Sequence, residues 1–322
     1  MIREYLHELY RGVIDGWNRF WFTPTDPATL GLIRILAGAM IFYTHLVWSL
    51  DLDGFLGAGG RMSHDLANRM QGQSPFAWSY LPLVDGSPAL LWSAHLVALA
   101  ILLMFTLGLY TRITGVLSFI ITISYAHRVP GALFGLDQIN GLLIMYLMLG
   151  AAGEAYSLDY WLKRRRNVRM DGPRQSTVAN ISIRLIQIHM CIIYLFAGLS
   201  KLGGETWWDG SAMWGALANS EYQSLDMTWL AAYPLVINAL TQISVAWELT
   251  YTFLVWPRLT RPLVIGMAIP LHLGIAICMG MITFGLAMLI ANLAFVSPWI
   301  IRRLEQAIAD RLRPAAKEPL VA

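Results

Sequence analysis

Lys201 closes the segment Tyr194-Leu-Phe-Ala-Gly198-Leu-Ser-Lys201-Leu-Gly-Gly204, where the residues before it are apolar, small or hydroxyl-bearing. Lysine is the cation that most readily serves as a neutral amine base where water is excluded. The competing reading is an anchor whose stem lies in lipid while its charge reaches the interface. Other ionisable groups also sit within or at the ends of apolar runs: Arg34, His45, His95, His127, Asp137, Arg184, His189, Glu248 and His272. Charge inside a bilayer is costly, so each is a functional candidate. For Arg184 and Glu248 the alternative is a structural ion pair between their helices. The histidines have no ligand spacing, HExxH and CxxC are absent, and Cys191 and Cys278 lie in separate apolar segments. No metal centre and no disulfide framework are expected. GxSxG and phosphate-loop patterns are also missing. The cluster Gly54, Gly57, Gly59 and Gly60 follows no strand and makes no dinucleotide fingerprint.

The elements that must hold these groups are membrane helices. The chain has 322 residues, of which 57% are hydrophobic and 13% charged; its mean hydropathy is +0.53. Soluble domains carry about 25% charge, and a disordered chain is excluded by the apolar content. The net charge is +3, but the basic residues flank apolar runs, so no nucleic-acid partner is expected. A span needs about 20 mostly apolar residues. Eight are read, over 28–50, 88–109, 112–127, 138–156, 178–202, 232–256, 262–279 and 281–297. The third is short and bounded by Arg112 and Arg128. The seventh and eighth meet at Met279-Gly280-Met281, and Pro270 is expected to kink the seventh. The fold class is therefore all-α, a polytopic helical bundle.

Lysine and arginine set the orientation. With the N-terminus inside, the inner segments hold 17 of them and the outer loops 3, which places both termini in the cytoplasm. Residues 1–27 read as an interfacial amphipathic helix, with Arg3, Arg11 and Arg19 between apolar positions and an aromatic end at Trp17, Phe20, Trp21 and Phe22; an ordinary cytosolic leader helix is the alternative. Residues 28–300 form the transmembrane domain and 301–322 a cytoplasmic tail. The run Lys163-Arg164-Arg165-Arg166 reads as a topology anchor beside anionic membrane lipid. In this frame Lys201, His45, His95, His127 and Asp137 lie toward the outer leaflet. They describe either a site that opens outward or a proton relay. The long outer loops are 51–87 and 203–231; the second carries Trp207, Trp208, Trp214 and Trp229 and no basic residue.

Tyr194-x-x-Ala197-Gly198-x-x-Lys201-Leu202, followed by Trp207-x-x-Gly210, resembles the vitamin K-dependent γ-glutamyl carboxylase family and its bacterial relatives, whose membrane part is the horizontally transferred transmembrane (HTTM) domain. Gly108-Leu-Tyr-Thr111-Arg112, His127-Arg128, Asp137, Leu271-His272 and Ser297-Pro298-Trp299 extend the similarity over roughly residues 28–300. The resemblance implies Lys201 as the base that deprotonates a reduced quinone, with His272 as the second catalytic residue. It implies His127, Asp137, Tyr194, Trp207 and Trp208 around the quinone, and Glu248, Arg184 and Arg34 as supporting polar groups. The implied reactants are reduced vitamin K or menaquinol, O2 and CO2, with no metal. The implied partner is a secreted or membrane peptide bearing a glutamate, at an outward-facing site in a bacterial inner membrane. The family's large lumenal domain, which grips that substrate, has no counterpart among these residues. Two other readings remain open: a non-catalytic factor for maturation or export of a secreted peptide, and a proton-linked transporter, which would show inverted repeats and broken helices.

Overall fold

The computed structural model describes residues 1–72, 74, 76–166 and 175–312. Among them the regular elements are helices, and the only extended pairing is one bridge between Thr25 and Ser176. α1 (Ile2–Phe22) precedes α2 (Ala28–Trp48). Two short helices, α3 (Leu52–Leu56) and α4 (His64–Met70), follow in the first long loop. Next come α5 (Pro88–Leu107), α6 (Thr111–Arg128), α7 (Gly135–Leu149) and α8 (Leu158–Arg166). α9 (Thr177–Lys201) leads into the short α10 (Glu205–Trp208) and α11 (Ala212–Leu217). α12 (Pro234–Leu254), α13 (Arg261–Cys278), α14 (Ile282–Asn292) and α15 (Pro298–Leu312) complete the described chain.

Local chemistry explains where the helices start. The Ser87 hydroxyl accepts the Leu90 N–H and Pro88 occupies the first turn of α5; the Ser176 hydroxyl accepts the Ala179 N–H at the head of α9. Such caps are worth about 1 kcal/mol each. The core runs through the bundle on one face of α2, where Leu30, Ile33, Ala37 and Ile41 recur at helical spacing and are fully buried. The outer faces are apolar too: Leu96, Val97, Leu103 and Leu107 of α5 and Leu235, Ile243 and Phe253 of α12 are exposed. A belt of that size is an association hazard in water and is solvated in lipid.

A helix lies over each of the eight expected spans, but by length and apolar character only four, Ala28–Leu56 (α2 with its continuation), α5, α9 and α13, are able to cross a membrane, or five if the bent α14–α15 pair is one span. α7 and α14 are short, and α6 and α12 carry more polar residues. α7 stops at Leu149, short of the expected 156, because Gly150 turns extended at its end. α13 continues through Pro270. α15 leaves the end of α14 at 108°. It covers the first part of the expected tail; residues 313–322 lie outside the described residues.

Hydrogen bonds gather the strongly basic segments at one end of the bundle, here the cationic end. Arg34, fully buried in α2, donates to the carbonyls of Ala152, Ala155 and Tyr156 just beyond α7. Gly108 sits beside it with φ +74°, and a Cβ there would lie 2.6 Å from the guanidinium, so glycine is required twice over. Asp159 closes the same turn by accepting the N–H groups of Tyr110 and Thr111 and the Thr111 hydroxyl.

Candidate functional site

α9 and α12 close on each other at Gly198. A Cβ at that position would stand 2.9 Å from Leu249 Cδ2 and 3.1 Å from its backbone N, so the bare glycine permits the approach. One turn further along α9, Lys201 Nζ lies 2.5 Å from Glu248 Oε2. The same amine is 3.4 Å from the Ala197 carbonyl oxygen and 5.2 Å from the centroid of the Trp207 ring. The two side chains are 21% and 11% exposed, so the pair is held largely away from water, where its attraction is much stronger than at a surface.

Tyr194 lies two turns before Lys201 on the same face of α9. Its hydroxyl is 2.7 Å from His272 Nε2 in α13 and 2.8 Å from Asn292 Nδ2 in α14. Asn292 Nδ2 also donates to the Met288 carbonyl, which fixes the amide, and Asn292 Oδ1 accepts from the Tyr251 hydroxyl at 2.7 Å. Tyr194 therefore accepts from Asn292 and donates its own proton to His272 Nε2. The histidine proton then resides on Nδ1, a buried N–H with no partner among the described residues. His272 is 2% exposed, its ring flanked edge-on by Trp247 and Phe284. Three helices thus bring an amine, a carboxyl and an uncommitted N–H donor together, linked by the Lys201–Glu248 pair, the packing of Tyr194 on Trp247 and the Tyr194–His272 hydrogen bond, with α14 adding Asn292 behind them.

The remaining candidates stand elsewhere. The Asp137 carboxylate accepts the Phe134 N–H and caps α7; it also borders an apolar cavity of about 480 Å³ with Tyr43, Trp48 and Phe55. His127 Nδ1 donates to the Trp78 carbonyl and ties down the first long loop. Trp208 is exposed and donates its indole N–H to the Leu202 carbonyl. The sequence-based pairing of Arg184 with Glu248 is not formed. Arg184 donates to Phe20 O and Gln187 Oε1, and Glu248 is taken by Lys201. The cause is a stagger: the Thr252 hydroxyl donates to the Cys191 carbonyl, so α12 ends near the middle of α9, and the Thr241 hydroxyl donates to Gly210 in the loop beyond it. Of the outward histidines, His45 and His95 meet across the Tyr125 ring, and His95 also reaches Ser49. Neither is in contact with Lys201, and His189, expected deeper, meets Tyr146. Sequence reasoning missed Asn292, Tyr251 and Trp247. Asn292 had a signal, an amide inside an apolar helix; the two aromatics had none. Among the described residues no three His, Cys, Asp or Glu side chains converge as a metal site.

An apolar outer surface around charged and amide groups buried between helices defines an integral membrane protein. Residues 22–299 match the HTTM domain, and the chain belongs to that family. No curated protein and no solved structure matches it.

Proposed function

We propose that this protein is a carboxylase-related membrane enzyme that oxidises a reduced quinone with O2 at the Lys201 site, with Lys201 as base and His272 as hydrogen-bond donor. The observation that carries the reading is the 2.5 Å contact between Lys201 and Glu248. A proton moved across it turns the ion pair into an amine and a carboxylic acid with no change in net charge. That offers a base in a water-poor place without burying a lone cation. The free amine can then take a quinol proton, and Glu248 holds the first one. The His272 Nδ1–H is a donor suited to a quinol or quinone oxygen. The reduced quinone, with oxygen, supplies the strong base that removes a glutamate γ-proton before CO2 adds. Trp207 shields the amine from water, which such chemistry needs.

The proposed setting is a bacterial inner membrane, eight spans, both termini cytoplasmic and the site facing outward, supported by the 17-to-3 distribution of basic residues. The test is quinone epoxide formation by detergent-purified protein given vitamin K hydroquinone or menaquinol in air. Epoxide should form with one of the two and vanish in Lys201→Ala. Folded protein that makes none with either would sink the enzymatic reading in favour of a peptide-maturation factor.

A further inference from the structure

A second recess, of about 390 Å³, opens at the cationic end between the start of α2, the first half of α9, the α12–α13 turn and the α14–α15 bend. Arg184, Arg258 and Arg261 line it together. Arg184 lies seven residues into α9, about 10 Å from its start. The two amides on the lining are already occupied. Asn180 Nδ2 donates to the carbonyls of Phe20 and Trp21, and Gln187 donates to Ala294 O while accepting from Arg184. The one carboxylate on the lining, Asp26, is held bidentate by Arg302 at 3.0 Å on each oxygen. Arg184 and Arg261 each place part of the guanidinium on backbone carbonyls, which fixes where the rest points. Three cations, Arg184 and Arg261 half-buried and Arg258 exposed, therefore face one space whose only acid is neutralised from outside.

We infer that this recess is a binding site for a phosphate-bearing anion, held by Arg184, Arg258 and Arg261. Like charges gathered in a half-buried space repel one another, and a phosphate offsets that repulsion while matching the forked guanidinium donors. Two sources share this chemistry, the headgroup of an anionic phospholipid and free inorganic phosphate. The recess sits where the bundle turns from apolar helix to basic loop, the level at which headgroups lie. The site is independent of the Lys201 chemistry.

The test is native mass spectrometry of delipidated full-length protein with phosphatidylglycerol, phosphatidylcholine and inorganic phosphate in separate arms. One tightly held phosphatidylglycerol per chain, absent with phosphatidylcholine, is expected. Arg258→Gln with Arg261→Gln should weaken it at least about tenfold, the loss of one charge-assisted contact. Arg258→Gln alone, at an exposed position, covers the case in which the double variant misfolds. Arg164→Gln removes the same charge on the basic run and should leave binding unchanged. Binding of inorganic phosphate that competes with the lipid would assign the site to the free anion. Phosphatidylglycerol and phosphate that bind no better than phosphatidylcholine, or binding equal in wild type and the Arg258 variants, would overturn the inference.

Discussion

Each side chain of the candidate site has a defined partner, so each substitution has a defined fault. In Glu248→Gln the amide can neither accept the lysine proton nor balance its charge, and Lys201 is left as a partly buried lone cation. Losing the proton acceptor should lower epoxide formation by about 100-fold or more, with melting measured by fluorescence falling by the equivalent of about 1–3 kcal/mol. Activity retained within a few-fold would show that Lys201 needs no acceptor. Tyr194→Phe removes the hydroxyl shared by His272 and Asn292 and strands both. A cost of about 1–3 kcal/mol is expected, while Tyr251→Phe, which strands only Asn292 Oδ1, should cost less. Equal losses would contradict the hydrogen-bond order derived from the Asn292 amide.

At the level of helices, the α5–α6 turn carries a pH dependence. Burial pushes the Asp159 carboxyl up, but the hydrogen bonds from Thr111 and Tyr110 and the nearby Lys163 ammonium outweigh it, leaving Asp159 below the usual carboxylate range. A depressed folded value adds stability that is complete above the unfolded value near 4 and is lost as pH falls through the folded one. Melting temperature should therefore drop as pH falls below about 5, through the unfolded value and on through the lower folded one. Asp159→Asn should melt lower at neutral pH and drop less in that window; parallel curves would remove Asp159 from the account. Much of the helical layout was legible in the sequence: α9 falls within a residue of its expected bounds because Ser176 caps it and the Lys201-Leu-Gly-Gly204 stretch ends it. The pairing between helices was not legible. Centring each apolar run in the bilayer puts Glu248 opposite Arg184, and only the offset of α12 along α9, set by Gly198 against Leu249 and by Thr252 against Cys191, brings it to Lys201. The motif residues Tyr194, Gly198 and Lys201 could be found because they share one helix face. Asn292 and Tyr251 complete the network from other helices, and no local spacing links them.

The whole molecule separates into two ends, one basic and one loop-rich. If the proposed orientation holds, with Cys191 and Cys278 replaced by serine, a cysteine at Ser220 should react with a membrane-impermeant maleimide on intact cells, and one at Gln306 only after permeabilisation. The reverse pattern would invert the molecule and turn Lys201 toward the cytoplasm. The Lys201–Glu248 contact has one more consequence in an energised membrane. A proton that passes between two atoms 2.5 Å apart within a neutral pair crosses less than a tenth of a hydrocarbon layer about 30 Å thick. A potential of 100 mV then changes its energy by at most about 0.2 kcal/mol, against about 2.3 kcal/mol for a full crossing. At a fixed supply of quinol and oxygen, turnover at the proposed site should proceed at the same rate in a polarised and a depolarised membrane.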